Sequence, residues 1–403
     1  MIISHHKRKS NIMRIVYANW NCFGAIDMFE TLLQLGHEVK VIEIPEKAFG
    51  GEYQEFSDSL YAVIRETRAE LVVSFNYYPF ISQACMRTSC RYFSWIYDSP
   101  FLKVYDASVN NNVNYVGTFD SYMADELSGK GVNTIHYIPL AVNTERIAGT
   151  IAKNRSNKIC GDRGDIGFVG SMYNNRNRFY ERLFETSRDM ELAGYLDALV
   201  EAQRRVYGCN FLEECLEGEV LEKIDRVMPY RIEKNSYISK PRVYADYYIC
   251  PRIAFIDRKG LIGAMAGCGF KIDYFTESDY SIPGARNRGS IDYLNEMPVV
   301  FNTYKINLNI SLRSIRTGIP LRAMDIMGSG GFLLTNYQQD MLRHFEPGKH
   351  FVQYTSIEEA LELSAYYLEH EQERSRIASA ALAEIEKHHT YKVRLKEILS
   401  DCM

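Results

Sequence analysis

The residues best equipped for chemistry crowd into one stretch, 305–336. It holds Lys305, the arginines Arg313, Arg316 and Arg322, the run Thr317-Gly-Ile-Pro320, and the glycines Gly328, Gly330 and Gly331. The order reads as a strand, a polar loop, a short helix opened by Pro320, a glycine turn and a second strand. Proline suits the first turn of a helix because its missing N–H would have had no partner there. Free N–H groups at such an N-terminus, next to arginines, form a site for a phosphate or carboxylate. The same arginines could instead stay solvated while the glycines only turn the chain, because a glycine cluster alone specifies little.

Polar residues at the ends of apolar runs are the second group. Asp98 follows the run 92–97 and precedes Ser99-Pro100, a place for a general base or for a simple turn cap. Asn21, Gly24 and Asp27 follow 14–18, Asn76 and Tyr77 follow 71–75, and Asp120 follows 115–119, which makes them candidates for a functional rim at the carboxyl ends of the strands. Gly170-Ser171 ends the run 166–169, where a backbone without a side chain can approach a phosphate, and Arg176 comes shortly after; a plain turn would look the same. Tyr274, ending 270–275, could stack on a nucleotide base or pack on a neighbouring helix. His136, inside an apolar strand, reads as a core histidine.

To bring these groups together the chain needs sheets whose strand ends share an edge. Apolar runs at 14–18, 39–44, 71–75, 92–97, 115–119 and 134–138 alternate with helical stretches such as 26–35 and 54–70, the pattern of a doubly wound parallel sheet. Residues 149–165, rich in Gly, Asn, Lys and Arg and without apolar periodicity, read as a linker. A second α/β unit begins at 166–169 and resumes at 270–275, 305–310, 331–335 and 350–352. Between about 177 and 267 the periodic stretches 196–207 and 212–227 read as helices inserted into that unit, and the end reads as helices over 357–367, 372–386 and 391–399. The expected organisation is a tail (1–12), a first domain (13–148), the linker, a second domain (166–388) and a terminal helix (389–403).

Composition limits the possible functions. Lys and Arg number 47 against 51 Asp and Glu, a formal charge of −4, so the uncompensated basic surface that binds phosphate backbones is missing and no nucleic-acid partner is expected. A membrane span needs about 20 apolar residues in a row, which the sequence does not contain, and a cytoplasmic protein is expected. The nine cysteines are scattered singly without a C-x-x-C pair or histidines at ligand spacing, which argues against a disulfide framework and a metal site.

The stretch 305–336, continued by Thr335-Asn-Tyr-Gln338 and by His389-Thr-Tyr-Lys-Val-Arg394, resembles the C-terminal domain of group 1 glycosyltransferases, and more narrowly their bacterial branch of spore-maturation CgeB-like proteins. Trp95-Ile-Tyr-Asp-Ser-Pro100, Ile138-Pro-Leu-Ala-Val142, Phe168-Val-Gly-Ser171 and Gly289-Ser-Ile-Asp-Tyr-Leu-Asn-Glu-Met-Pro298 fit the same branch, so the likeness spans nearly all of the chain after residue 13. The resemblance implies an α/β GT-B fold. In that fold two Rossmann-like domains with parallel sheets face a cleft, a nucleotide-sugar donor is held mainly by the second domain, and the diphosphate needs no metal or other cofactor. On this reading Gly170, Ser171 and Arg176 approach the phosphates, Asn21, Gly24, Asp27, Asn76 and Tyr77 lie on the acceptor side, and Asp98 takes the proton of the acceptor hydroxyl. Arg316, Thr317, Gly318, Ile319, Pro320 and Arg322 lie against the donor sugar and diphosphate, and Gly330 and Gly331 close the turn behind them. Arg322 could equally make a core-edge salt bridge, and Lys305 could point at the phosphates or merely start a strand. Asp325 takes the place of a glutamate that holds the ribose hydroxyls in related retaining enzymes. The glutamate that those enzymes carry eight positions earlier is Thr317 here, which leaves the stereochemistry open.

The expected activity is therefore transfer of a sugar, a hexose by the resemblance, from a nucleotide diphosphate donor to a hydroxyl or amide of a protein, glycan or small molecule. The helical insert is the expected acceptor or assembly device, and an oligomer could form through it. A silent nucleotide-sugar-binding or interaction protein on the same fold is the alternative, supported by Thr317. A nicotinamide-dependent oxidoreductase is disfavoured because Gly24 and Gly170 lack the glycine spacing of dinucleotide sites.

Overall fold

The computed structural model describes residues 12–51, 53–154, 161–174, 181, 183, 185–186 and 188–402. It contains two six-stranded sheets, and every pairing in both is parallel. The first is built from β1 (Arg14–Asn19), β2 (Glu38–Glu43), β3 (Leu71–Phe75), β4 (Arg91–Trp95), β5 (Asn114–Thr118) and β6 (Ile135–Tyr137), in the order β2-β1-β3-β4-β5-β6. The second contains β7 (Ile166–Val169), β8 (Ile272–Phe275), the two-residue β9 (Arg286–Asn287), β10 (Ile306–Asn309), β11 (Leu333–Asn336) and β12 (Val352–Tyr354), in the order β12-β11-β10-β7-β8-β9. A parallel sheet is covered on both faces, so its strands are apolar on both sides. Thus Val16 and Ala18 pack into one core cluster while Ile15 and Tyr17 pack into the other, and all five residues of β3 are buried. Each order reverses once, between β1 and β3 in the first domain and between β7 and β10 in the second. Ligands of open α/β sheets bind outside the carboxyl ends of the strands at such reversals.

The chain crosses between domains twice, and the crossings lie side by side. Val142 donates its N–H to His389 O at 3.0 Å, Tyr391 donates to Val142 O at 3.2 Å, and Val142 and Thr390 form a parallel bridge. Beyond the second crossing the helix Tyr391–Asp401 returns to the first domain, where Leu395, Ile398 and Leu399 join the cluster around Tyr17 and Trp95. The expected linker is revised: residues 149–154 belong to the helix Thr144–Asn154, whose Ile147 packs into the second domain's core, and 155–160 lie outside the described residues. Its polar face resembled a linker because only a narrow stripe is apolar.

The expected insert also ends sooner than 267. The helix Cys250–Gly267 is the crossover from β7 to β8, with Leu261, Ile262 and Met265 against the sheet. The helices before it, including Met190–Arg204, Leu212–Cys215 and Gly218–Val227, share their own core around Leu196, Tyr244 and Ile253. The expected single helix 212–227 is broken at Leu216–Glu217, ahead of Gly218 with φ +55°.

A buried acid joins the domains. Asp120, after β5, accepts the backbone N–H of Arg316 at 2.7 Å, that of Thr317 at 3.2 Å and the Thr317 hydroxyl at 2.7 Å. Beside it Asp340 of the second domain accepts the N–H and hydroxyl of Ser121 at 3.0 and 2.7 Å. The backbones meet so closely that a Cβ on Gly318 would lie 2.7 Å from Phe119 O. Replacing Asp120 by Ala leaves the N–H groups of Arg316 and Thr317 without partners in a buried interface, while the Thr317 hydroxyl keeps Ser121 Oγ at 2.9 Å. The expected loss is about 2–6 kcal/mol, from about 1–3 kcal/mol for each of the two buried donors left unpaired, read as a lower urea midpoint. An unchanged midpoint would show that the clamp contributes nothing.

Candidate active site in the cleft

The strand reversal of the second sheet opens on a cavity of about 610 Å³. Its walls come from the ends of β7 and β8, the segment 290–293 and the helix Leu321–Gly328, with Phe23 of the first domain closing it from across the cleft. Phe23 and Tyr293 stack with ring centroids 4.8 Å apart. Gly170 turns the chain out of β7 with φ +153°, and a Cβ there would meet the guanidinium of Arg322 at 2.4 Å. The helix that carries Arg322 and Asp325 starts at this rim with no side chain capping its N-terminus, so its first N–H groups face the same space.

Two guanidinium groups stand at this point without a carboxylate. Arg322 donates to Asn309 Oδ1 at 3.2 Å and lies over the Phe168 ring at 5.1 Å. Arg258, fully buried, donates to Ser171 O and, at 2.7 Å, to Ile310 O, with its Cζ 5.3 Å from the same Phe168 ring. Neither forms an ion pair among the described residues. Burial, and after it the like charge of Arg258, push the Arg322 guanidinium down to about 9, and burial lowers that of Arg258. A charge held at such cost is stabilised by an anion that enters the cavity.

Asp325 lies one helical turn further in, buried, and accepts the Tyr293 hydroxyl at 3.3 Å. Burial raises its carboxyl to about 7 against the pull of Arg146. Arg146 itself is committed to Asp27, with Nε to Oδ1 at 2.7 Å and Nη2 to Oδ2 at 2.9 Å, and Asn143 donates to the same carboxylate at 2.9 Å.

Of the expected donor residues, Gly170, Ser171, Arg322 and Asp325 line the cavity, and Pro320 precedes its helix. Arg176 lies outside the described residues. The other expectations are corrected. Lys305 pairs with Asp165 at 2.7 Å at the amino ends of β10 and β7, the opposite edge of the sheet. Gly330 and Gly331 are at that edge too, because the helix has run its length before the chain turns, and a Cβ on Gly331 would lie 2.4 Å from Phe301 O. Tyr274 is buried in the core with its hydroxyl on Tyr280 O at 2.6 Å, so it cannot stack on a base. Arg316 turns to Asn210 O at 2.8 Å and Asp246 at 3.4 Å, and Thr317, Gly318 and Ile319 are covered by the first domain or the core.

On the first domain, Asp98 is exposed at the end of β4. Asn76 positions it, donating Nδ2 to the carboxylate at 2.8 Å and accepting the N–H groups of Tyr97 and Asp98 at 2.8 and 3.1 Å. Asn21 turns the loop after β1 with φ +59°. The acceptor-side expectation is revised for three residues, and Asp120, the remaining candidate at a strand end, is the buried clamp between the domains. Asp27 holds Arg146, Tyr77 is buried with its hydroxyl on Ser108 at 2.7 Å, and Gly24 is small because the Tyr391 hydroxyl would lie 2.6 Å from a Cβ there. His136 is only half-buried and stacks on Tyr115 at 4.0 Å.

Arg258, Arg146 and Tyr293 were missed. Arg258 had a signal: it sits on the apolar face of its helix between Ala254, Leu261 and Ile262, where an arginine is out of place unless it has a polar task. Among the described residues no group of three or more His, Cys, Asp or Glu is placed to hold a metal, and no helix is long and apolar enough to cross a membrane.

The raised carboxyl yields a pH test. Folding takes Asp325 from an ordinary value of 3.8 to about 7, so between those values the folded chain keeps a proton that the unfolded chain has lost. Its contribution to stability is full at the acid end and is lost as pH rises through 7. Wild type should therefore lose more thermal stability than Asp325→Asn between pH 5 and pH 8; parallel losses would place the proton elsewhere.

Residues 258–400 match the family model described as glycosyl transferase-like. No curated protein sequence matches the chain. Among solved structures, the chain is similar to an α,α-trehalose-phosphate synthase (UDP-forming) from Burkholderia vietnamiensis, with TM-score 0.54, 11% identity and coverage of 97% of each chain. It is also similar to the sucrose-phosphate synthase of Thermosynechococcus elongatus, with TM-score 0.53, 10% identity and coverage of 96% of this chain and 98% of that one. Anabaena HepE in complex with UDP and glucose aligns with TM-score 0.50 and 13% identity over 96% of this chain and 100% of its own. With two parallel α/β domains facing a cleft and a glycosyl transferase-like stretch over residues 258–400, the chain has the GT-B fold of glycosyltransferases.

Proposed function

We propose that this chain is a metal-independent glycosyltransferase of the CgeB-like branch, acting in the cytoplasm on a nucleoside diphosphate hexose. The observation that carries the reading is the pair Arg258 and Arg322, unpaired by any described acid beside Gly170 at the strand reversal. In the reaction the bond between the anomeric carbon and the diphosphate oxygen breaks and its electrons leave with the diphosphate. The acceptor oxygen bonds to the anomeric carbon, and its proton goes to a carboxylate. Arg322, the N–H groups at the start of its helix and the charge of Arg258 behind it stabilise the departing diphosphate in the place of a cation. Asp325 accepts ribose hydroxyls, and Asp98, oriented by Asn76, takes the acceptor proton.

Calorimetry tests the donor site. Uridine diphosphate is the first ligand to try because the HepE structure holds it. Arg322→Ala should weaken its binding by about 2–5 kcal/mol, while an exposed control such as Arg205→Ala leaves it unchanged. Equal affinity in both variants would move the diphosphate elsewhere. Turnover should also survive a chelator; loss that manganese restores would contradict metal independence.

A further inference from the structure

A second cavity, about 620 Å³, opens at the carboxyl edge of the first sheet and falls in the size range of small-molecule sites, about 300–1,000 Å³. One wall comes from the segments that follow β2, β3 and β4, bringing Phe49, Tyr53, Phe80, Phe101 and Lys103 together. The opposite wall is residues 230–238 and Tyr247 of the helical insert. That insert is fixed to the first domain: Tyr237 donates its N–H to Tyr105 O at 2.8 Å, and the Tyr247 hydroxyl bridges Pro100 O at 2.9 Å and Leu102 N–H at 3.2 Å.

Flat apolar faces and two cations, Lys103 beside the rings and the exposed Arg231 on the insert, characterise this space. Tyr53 and Phe80 stack at 5.4 Å, and Tyr53 and Phe49 are each more than a third exposed. The Lys103 ammonium lies 5.4 Å from the Phe49 ring, 5.2 Å from Tyr78 and 6.0 Å from Phe80, with no ion pair or hydrogen-bond acceptor among the described residues. Of the acids on the walls, Asp106 is occupied by the N–H and hydroxyl of Ser108, and Glu233 is exposed on the insert. Aromatic faces suit the C–H face of a sugar ring, and a partly desolvated ammonium with donors to spare suits an anion.

The segment after β4 leads from Asp98, oriented by Asn76, to the wall of this cavity, where Tyr247 holds Pro100 O and Leu102 N–H. Five residues beyond Asp98, Lys103 lines the second cavity.

We infer that this cavity is the acceptor site and that it takes an anionic saccharide, one whose carboxylate or phosphate meets Lys103 while its ring packs on Tyr53 and Phe80. The inference rests on the glycosyltransferase reading but is tested apart from it. Glucuronic acid, glucose 6-phosphate and glucose are titrated into wild type and Lys103→Met, with uridine diphosphate titrated into both as a check on the donor site. Wild type should bind one or both anionic probes at least tenfold more tightly than glucose, and Lys103→Met should remove the preference without changing uridine diphosphate affinity. A preference for glucuronic acid alone identifies a carboxylate, and one for glucose 6-phosphate alone a phosphate; both support the inference. Equal binding of all three, binding of none, or a preference that survives Lys103→Met overturns it. Failure of uridine diphosphate to bind would instead count against the donor reading.

Discussion

Two guanidinium groups, Arg258 buried and Arg322 half-buried on the cavity wall, with no ion pair to either among the described residues, are the constraint around which the second domain is arranged. Their like charges repel, and burial weakens the solvation that would screen them. What makes the arrangement tolerable is local: Ser171 O and Ile310 O accept from Arg258, Asn309 accepts from Arg322, and both lie against the Phe168 ring. All of these partners belong to β7 and β10 or to the residues just after them, so the charge and the strand reversal occupy one place. A bulkier residue at position 170 would push Arg322 away from the strand end.

Besides Phe23, which stacks on Tyr293, the first domain takes part in the site through three further contacts. Asp120 and Asp340 clamp the loop before the helix Leu321–Gly328, Arg146 ties Asp27 to the polar floor near Asp325, and the insert rests on Tyr105 and Pro100. The helix that carries Arg322 is therefore set by a carboxylate from the other domain as well as by its own sheet. The insert is less an appendage of the second domain than a wall of the cleft.

Strand runs were legible in the sequence because both faces of a parallel sheet are buried, which leaves long apolar stretches such as Leu71-Val-Val-Ser-Phe75 with little ambiguity. Gly170, Ser171, Arg322 and Asp325 were legible as cavity residues because a strand end or a helix start places them locally. Errors arose where position along an element decided the matter. Gly330 and Gly331 are close to Arg322 in sequence, but a helix of eight residues carries the chain about 12 Å, from one edge of the sheet to the other. Arg316 and Thr317 have the right chemistry for an anion, yet the first domain and the insert reach them first, a contact between distant segments that no local pattern encodes. Arg258 was hidden by the reverse effect, since its stretch was read as insert when it is the crossover helix.

The return of the helix Tyr391–Asp401 to the first domain has a consequence for biosynthesis. Leu395, Ile398 and Leu399 fill the cluster that also holds Tyr17, Phe93 and Trp95, and the Tyr391 phenol packs against the start of the first helix at Gly24. Domains generally fold as units as they leave the ribosome, N-terminal first. Here the domain made first has one face of its core open until the whole second domain has been translated. During that interval Phe93 and Trp95 lack the cover that Tyr391 and Leu395 later supply, and a chain cut short before residue 391 leaves that part of the apolar surface open.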